Sequence, residues 1–259
     1  MSEVWVEGPR GKLYVRDERG GGLPVLFLHS DGGNGTHWTE QLDCLRPARR
    51  AIAIDLRGHG QSEAPRDGDY SVEGRAEDVA SVAAALGLNR FVLVGHSGGG
   101  AVALAYAGTH PQRVARLLLV DTATDGRQIP ADVVREFIER LRSGEYEKAV
   151  RDYFGPLAGP NAEAAGRVLA DIWATPKEAI IGTFLALAEF DPTGPLLTYR
   201  GPRLSLVTPP NDNPAGHHRL DPSLPHRLVE GTGHWLHLDD PAAFGKTLDE
   251  FLGTVSVAR

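Results

Sequence analysis

The chain of 259 residues has a single cysteine, Cys44. No intrachain disulfide can form, and a thiolate metal cluster is excluded. It also lacks a basic excess: 34 acidic residues face 27 basic ones, for a net charge of −7, and no basic run occurs. Nucleic-acid binders normally present a basic face, so nucleic acid is not expected as a partner. No apolar stretch approaches the roughly 20 residues needed to cross a bilayer, so no membrane partner is expected either. Met1 to Gly11 has no basic start followed by an apolar stretch, which argues against a signal peptide. These absences lead to the expectation of a cytoplasmic protein.

What is present is an ordinary globular composition, 41% hydrophobic and 24% charged, with enough apolar surface for one large core. Pro24 to Leu28, Arg50 to Asp55, Phe91 to Val94 and Arg116 to Val120 read as buried strands, and Lys12 to Arg16 alternates weakly. Continuous apolar runs suit central parallel strands covered on both faces. Helical patterns lie between them, at Val72 to Leu86 and Ala101 to Thr109. This rhythm predicts a doubly wound α/β sheet. Near Asp125 the pattern changes. Val133 to Leu141, Tyr146 to Phe154, Ala162 to Trp173 and Lys177 to Phe190 are all helical. Strand character resumes at Arg203 to Val207 and His226 to Val229, before a final helix at Ala242 to Leu252. The expected organisation is an α/β core of residues 1–124 and 201–259, with residues 125–200 inserted as a helical lid.

The strand Phe91 to Val94 runs into Gly95-His96-Ser97-Gly98-Gly99, and a helix of small residues follows. A G-x-S-x-G turn between strand and helix exposes its serine at the carboxyl edge of the sheet. The Gly98 N–H points into the same space from a helix N-terminus, where developing negative charge is favoured. A phosphate loop would need G-x-x-x-x-G-K-S/T, and no such lysine is present. Ser97 is therefore the expected nucleophile.

A serine hydroxyl needs a base, and the base needs an orienting carboxylate, in the chain order Ser, Asp or Glu, His. His234, in Gly231-Thr232-Gly233-His234, follows the last strand and is the expected base. His237 is its rival, read as a surface or structural histidine. Asp212 follows the strand Leu204 to Val207 and is the expected acid; Asp121, which ends the strand after the nucleophile helix, is the alternative. The loop His29-Ser30-Asp31-Gly32-Gly33 should supply the second oxyanion donor from the Asp31 N–H, alongside Gly98. A carboxylate facing an oxyanion would oppose it, so the Asp31 side chain should turn away or bond into the glycine loop. Arg57 and His59 read as a rigid structural loop, with Arg57 in an ion pair. His29, Phe154, Trp173, Phe184 and Trp235 are candidate pocket residues. No metal site is expected: His217 and His218 adjoin, but neighbouring side chains point apart.

Taken together, His29 to Gly33, Asp55 to Ser62, Gly95 to Gly99 and Gly231 to His234 resemble the α/β-hydrolase superfamily. More narrowly, they are similar to its lid-bearing esterase, enol-lactonase and cofactor-free haloperoxidase branch. The resemblance implies an eight-stranded, mostly parallel sheet with a lid after the sixth strand, a Ser97–Asp212–His234 triad, and no cofactor. Ser30 stands where glycine is commoner, and Pro209-Pro210 replaces the usual glycine turn before the acid. The expected function is hydrolysis of a small carboxylic ester or lactone through an acyl-enzyme. The alternatives are carbon–carbon bond hydrolysis or perhydrolysis on the same triad, or a ligand receptor that kept the fold. The sequence is silent on oligomeric state.

Overall fold

Along each central strand, successive side chains point to opposite faces, and both faces are apolar. The computed structural model describes residues 2–46 and 48–253. Its elements run β1 (Ser2–Gly8), β2 (Gly11–Glu18), β3 (Val25–Leu28), α1 (Thr39–Leu45), β4 (Ala51–Ile54), α2 (Val72–Ala85), β5 (Phe91–His96), α3 (Gly98–Thr109) and β6 (Val114–Val120). Then come α4 (Ala131–Arg142), α5 (Tyr146–Phe154), α6 (Ala162–Ala174), α7 (Lys177–Glu189) and α8 (Thr193–Thr198). The chain closes with β7 (Arg203–Val207), α9 (His217–Leu220), β8 (His226–Leu228), α10 (Leu236–Asp239) and α11 (Pro241–Leu252).

The eight strands form one sheet in the order β1-β2-β4-β3-β5-β6-β7-β8. β2 is antiparallel to both β1 and β4; every other pairing is parallel. On one face Leu26, Leu28, Ile52, Ile54, Leu93 and Leu117 pack with residues of α2 and α3. On the other, Val25, Phe27, Ala51, Ala53, Val92 and Leu118 pack with residues of α1 and α11. Burying each large aliphatic side chain contributes about 1.5–3 kcal/mol, so this two-faced core fixes the strand register.

Strand β1 was not expected from the sequence. It is an edge strand in which only Val6 is buried and Trp5 is half exposed, so it carries no apolar run. Helices α4 to α8 all fall between β6 and β7. They hold a third apolar cluster, including Ile138, Leu141, Val150, Val168 and Ile172, which Trp235 and Leu238 join from the far end of the chain. Among the described residues, no helix is long and apolar enough to cross a membrane.

Candidate active site

Parallel pairing brings the carboxyl ends of β3, β5, β6 and β7 to one edge. Ser97 stands there between β5 and α3, at φ 53° and ψ −121°. Such a backbone costs an L-residue about 1–3 kcal/mol and persists only where the surroundings enforce it. Here the Ser97 N–H donates to the Val120 carbonyl at 3.0 Å, and the Ser97 carbonyl accepts from Gly100 N–H at 2.9 Å. A Cβ on Gly95 would collide with backbone of Gly99 and Gly100, and one on Gly99 with the carbonyls of Leu28 and His29. The bare glycines let α3 lie close enough to β5 and β3 to lift Ser97 above the sheet edge.

Asp121 directly follows the next strand, β6, and is the other non-glycine residue at positive φ, 41°, among the described residues. His234 Nδ1 donates to its Oδ2 at 2.6 Å. Thr208, at the end of β7, completes the cradle. Its N–H donates to Oδ1 at 2.7 Å and its hydroxyl to Oδ2 at 2.8 Å. Burial pushes the Asp121 carboxyl up, but the hydrogen bonds from His234 and Thr208 outweigh it and hold the group below the usual carboxylate range. The His234 loop is tied by its N–H to the Leu157 carbonyl at 2.9 Å, and the His234 carbonyl pairs with His96 Nε2 at 2.9 Å. With Nδ1 committed to a carboxylate, Nε2 is the basic nitrogen, and His234 lines the same cavity as Ser97.

The expectation for Asp212 is corrected. Its Oδ1 accepts from His218 Nε2 at 2.9 Å and from Arg219 Nη2 at 2.6 Å. A turn over Pro209–Asn211 carries it past the strand end toward α9, and Thr208 takes the place facing Asp121. The alternative named from the sequence, Asp121, holds the contact with His234. The expectation for the Asp31 side chain is also corrected. It neither turns away nor bonds into the glycine loop, but forms an ion pair with Arg75 Nη1 of α2 at 2.6 Å. Arg75 is fully buried, and a buried guanidinium requires a counter-charge.

The shared cavity has a volume of about 320 Å³ and is roofed by apolar residues of the helical stretch, among them Val134, Phe137 and Leu187. Of the candidate pocket residues, Phe154, Phe184 and Trp235 line it, and Trp235 Nε1 donates to Ser30 Oγ at 3.2 Å. His29 and Trp173 do not. His29 is fully buried, with Nδ1 near the Ser30 carbonyl and Nε2 accepting from Leu56 N–H at 2.9 Å, so its nitrogens are spent on the fold. Trp173 is 40% exposed on α6, edge-on to Tyr146. His237 is not at the surface; it is fully buried and stacked on Trp38. Arg57 pairs with Asp78 at 2.6 Å, and His59 Nδ1 meets the Arg57 carbonyl, which matches the structural reading of that loop. Three contributors went unnoticed in the sequence: Thr208, Arg75 and Tyr153. Thr208 directly follows a strand and Arg75 sits on the inner face of a helix, but neither belongs to a motif. Tyr153 lines the cavity from α5 and remains partly exposed.

Comparison with known proteins agrees with this architecture. Residues 24–241 match the α/β hydrolase fold family. The chain belongs to that family. The sn-1-specific diacylglycerol lipase ABHD11 of Mus musculus is 30% identical over 266 residues, spanning 88% of this chain and 80% of the lipase. Among solved structures, a thermophilic esterase from Thermogutta terrifontis is 27% identical with a TM-score of 0.82, covering 98% of each chain. Est816, described as an N-acyl homoserine lactone degrading enzyme, is 26% identical with a TM-score of 0.84, covering 96% of this chain and all of that one.

Proposed function

We propose that the protein is a serine hydrolase that cleaves a small carboxylic ester or lactone through an acyl-enzyme. One observation carries the reading: His234 Nδ1 is fixed on Asp121 while His234 and Ser97 border one cavity. The Ser97 hydroxyl attacks the carbonyl carbon as His234 Nε2 takes its proton. Asp121 keeps the imidazole oriented and stabilises the imidazolium without taking the proton itself. The backbone N–H groups of Asp31 and Gly98 hold the tetrahedral oxyanion. Collapse breaks the bond to the alcohol, which leaves with the proton from His234. A water, deprotonated by the same nitrogen, then attacks the acyl-enzyme and releases the acid and free Ser97. Residues 125–200 act as the lid, closing an apolar roof over the acyl or alcohol chain.

Family membership and the esterase and lactonase relatives support this class. The test is turnover of short-chain para-nitrophenyl esters and γ-lactones by wild type and Ser97→Ala. The substitution should lower kcat by about 10⁶-fold. Equal turnover by the two proteins would reject the acyl-enzyme. Peroxide-dependent halogenation that exceeds ester hydrolysis would favour perhydrolysis instead.

A further inference from the structure

The cavity has an uneven charge distribution. Among the described residues, no lysine or arginine lines it. Its two carboxylates are Asp121, closed off by His234 and Thr208, and Asp31. Asp31 Oδ1 is engaged by Arg75, whose Nε and Nη2 have no hydrogen-bond partner, so Arg75 neutralises this carboxylate from behind. Oδ2 fills the space that a Cβ on Gly98 would need, beside one of the two residues assigned to the oxyanion. The Asp31 side chain keeps 7% of its surface exposed, and it borders the cavity.

We infer that Asp31 is a specificity residue that selects neutral esters or lactones carrying a hydrogen-bond donor, a hydroxyl or an amide N–H, next to the scissile carbonyl. This rests on the esterase reading above. A carboxylate accepts hydrogen bonds and cannot donate them. Asp31 also holds its carboxylate two bonds from the Cα whose own N–H receives the oxyanion, so what reaches it is the group adjoining the reacting carbon rather than a distant tail. A donor there forms a charge-assisted hydrogen bond to the carboxylate, and a bare methylene forgoes that bond, leaving Arg75 as the ion-pair partner. A carboxylate on the substrate finds no cation in the lining to pair with, because Arg75 is already engaged by Asp31. The apolar roof accepts the remainder of the chain.

The test uses three esters of equal acyl length: phenyl α-hydroxyhexanoate, phenyl hexanoate and phenyl hydrogen adipate. Wild type should prefer the hydroxy ester over the plain ester in kcat/KM by about tenfold to a hundredfold, with the anionic ester poorest. Asp31→Asn strands the buried Arg75 charge and can fail to fold. The paired variant Asp31→Leu/Arg75→Leu removes both charges together, a change that is often neutral or stabilising. In it the hydroxy-to-plain ratio should fall to about one. A ratio that stays at the wild-type value, or a wild-type ratio near one, overturns the inference. A binding measurement separates this outcome from failure of the esterase reading. On Ser97→Ala, α-hydroxyhexanamide should bind about tenfold or more tightly than hexanamide by calorimetry, and Asp31→Leu/Arg75→Leu should abolish the difference. If that preference is present while wild type hydrolyses none of the three esters, the esterase reading fails and the donor site stands. Equal binding of the two amides rejects the donor site whatever the turnover.

Discussion

Two histidine–aspartate pairs stand on neighbouring loops of this molecule, and only one faces the cavity. His234–Asp121 is 2.6 Å long, with side chains 9% and 1% exposed. His218–Asp212 is 2.9 Å long, and its carboxylate is 30% exposed and shared with Arg219. The first acid sits directly on a strand end, held by two donors from Thr208 and a strained backbone. The second hangs beyond a proline-rich turn over a short helix. The pairing of imidazole with carboxylate is therefore common to both. What differs is whether the histidine borders the cavity that Ser97 also lines and how many donors hold the carboxylate.

That difference is best probed by removing its parts. The largest effect belongs to the group both pairs would need: Ser97→Ala should remove about 10⁶ from kcat on a short-chain ester. Next, Asp121→Asn should lower kcat by about 10⁴, because the amide presents the wrong partner to Nδ1. An acid titration reaches both loops through their neighbours. His96 and His237 beside His234 are held well below the ordinary histidine range by burial first and then by adjacent histidines. His217, next to His218, is lowered by burial to about 4. The native state keeps these rings neutral while the unfolded chain takes up protons below about pH 6.5. Their destabilising effect is absent above that value and grows as pH falls toward each folded value. Each should remove about 1.4 kcal/mol per pH unit across that window. Urea unfolding at a series of pH values checks this, and His217→Leu should shallow the slope by about one proton. A stability that does not change between about pH 7 and pH 5 would contradict it.

Smaller effects sharpen the contrast. Thr208→Val deletes one hydrogen bond to Asp121 and should lower kcat about five- to tenfold with KM little changed. Asp212→Asn should leave kcat within about twofold, the usual scatter for a substitution away from the machinery. A loss there that rivals Asp121→Asn would reverse the comparison.

The contrast also explains what could be read in advance. Apolar runs such as Val25 to Leu28 and Phe91 to Val94 announce central strands, because burial on both faces leaves no room for polar residues. Gly95-His96-Ser97-Gly98-Gly99 announces the elbow, because a Cβ at Gly95, Gly98 or Gly99 would collide with its neighbours. The acid carries no such local requirement. Asp121 and Asp212 each follow a strand, and nothing in their flanks records which one faces His234. That depends on Thr208, a residue whose role arises from the β6–β7 pairing. The Asp31–Arg75 pair is equally hidden, since it joins residues on β3's loop and α2 that are 44 positions apart.

The most direct test of Asp121 and His234 as one unit serving Ser97 is a crystal structure of the protein inactivated by an alkyl phosphonate. The expected structure has phosphorus bonded to Ser97 Oγ, a phosphoryl oxygen within reach of the Asp31 and Gly98 amides, and His234 Nδ1 still on Asp121. Phosphorus on a different residue, or a His234 ring swung onto Asp212, would contradict it.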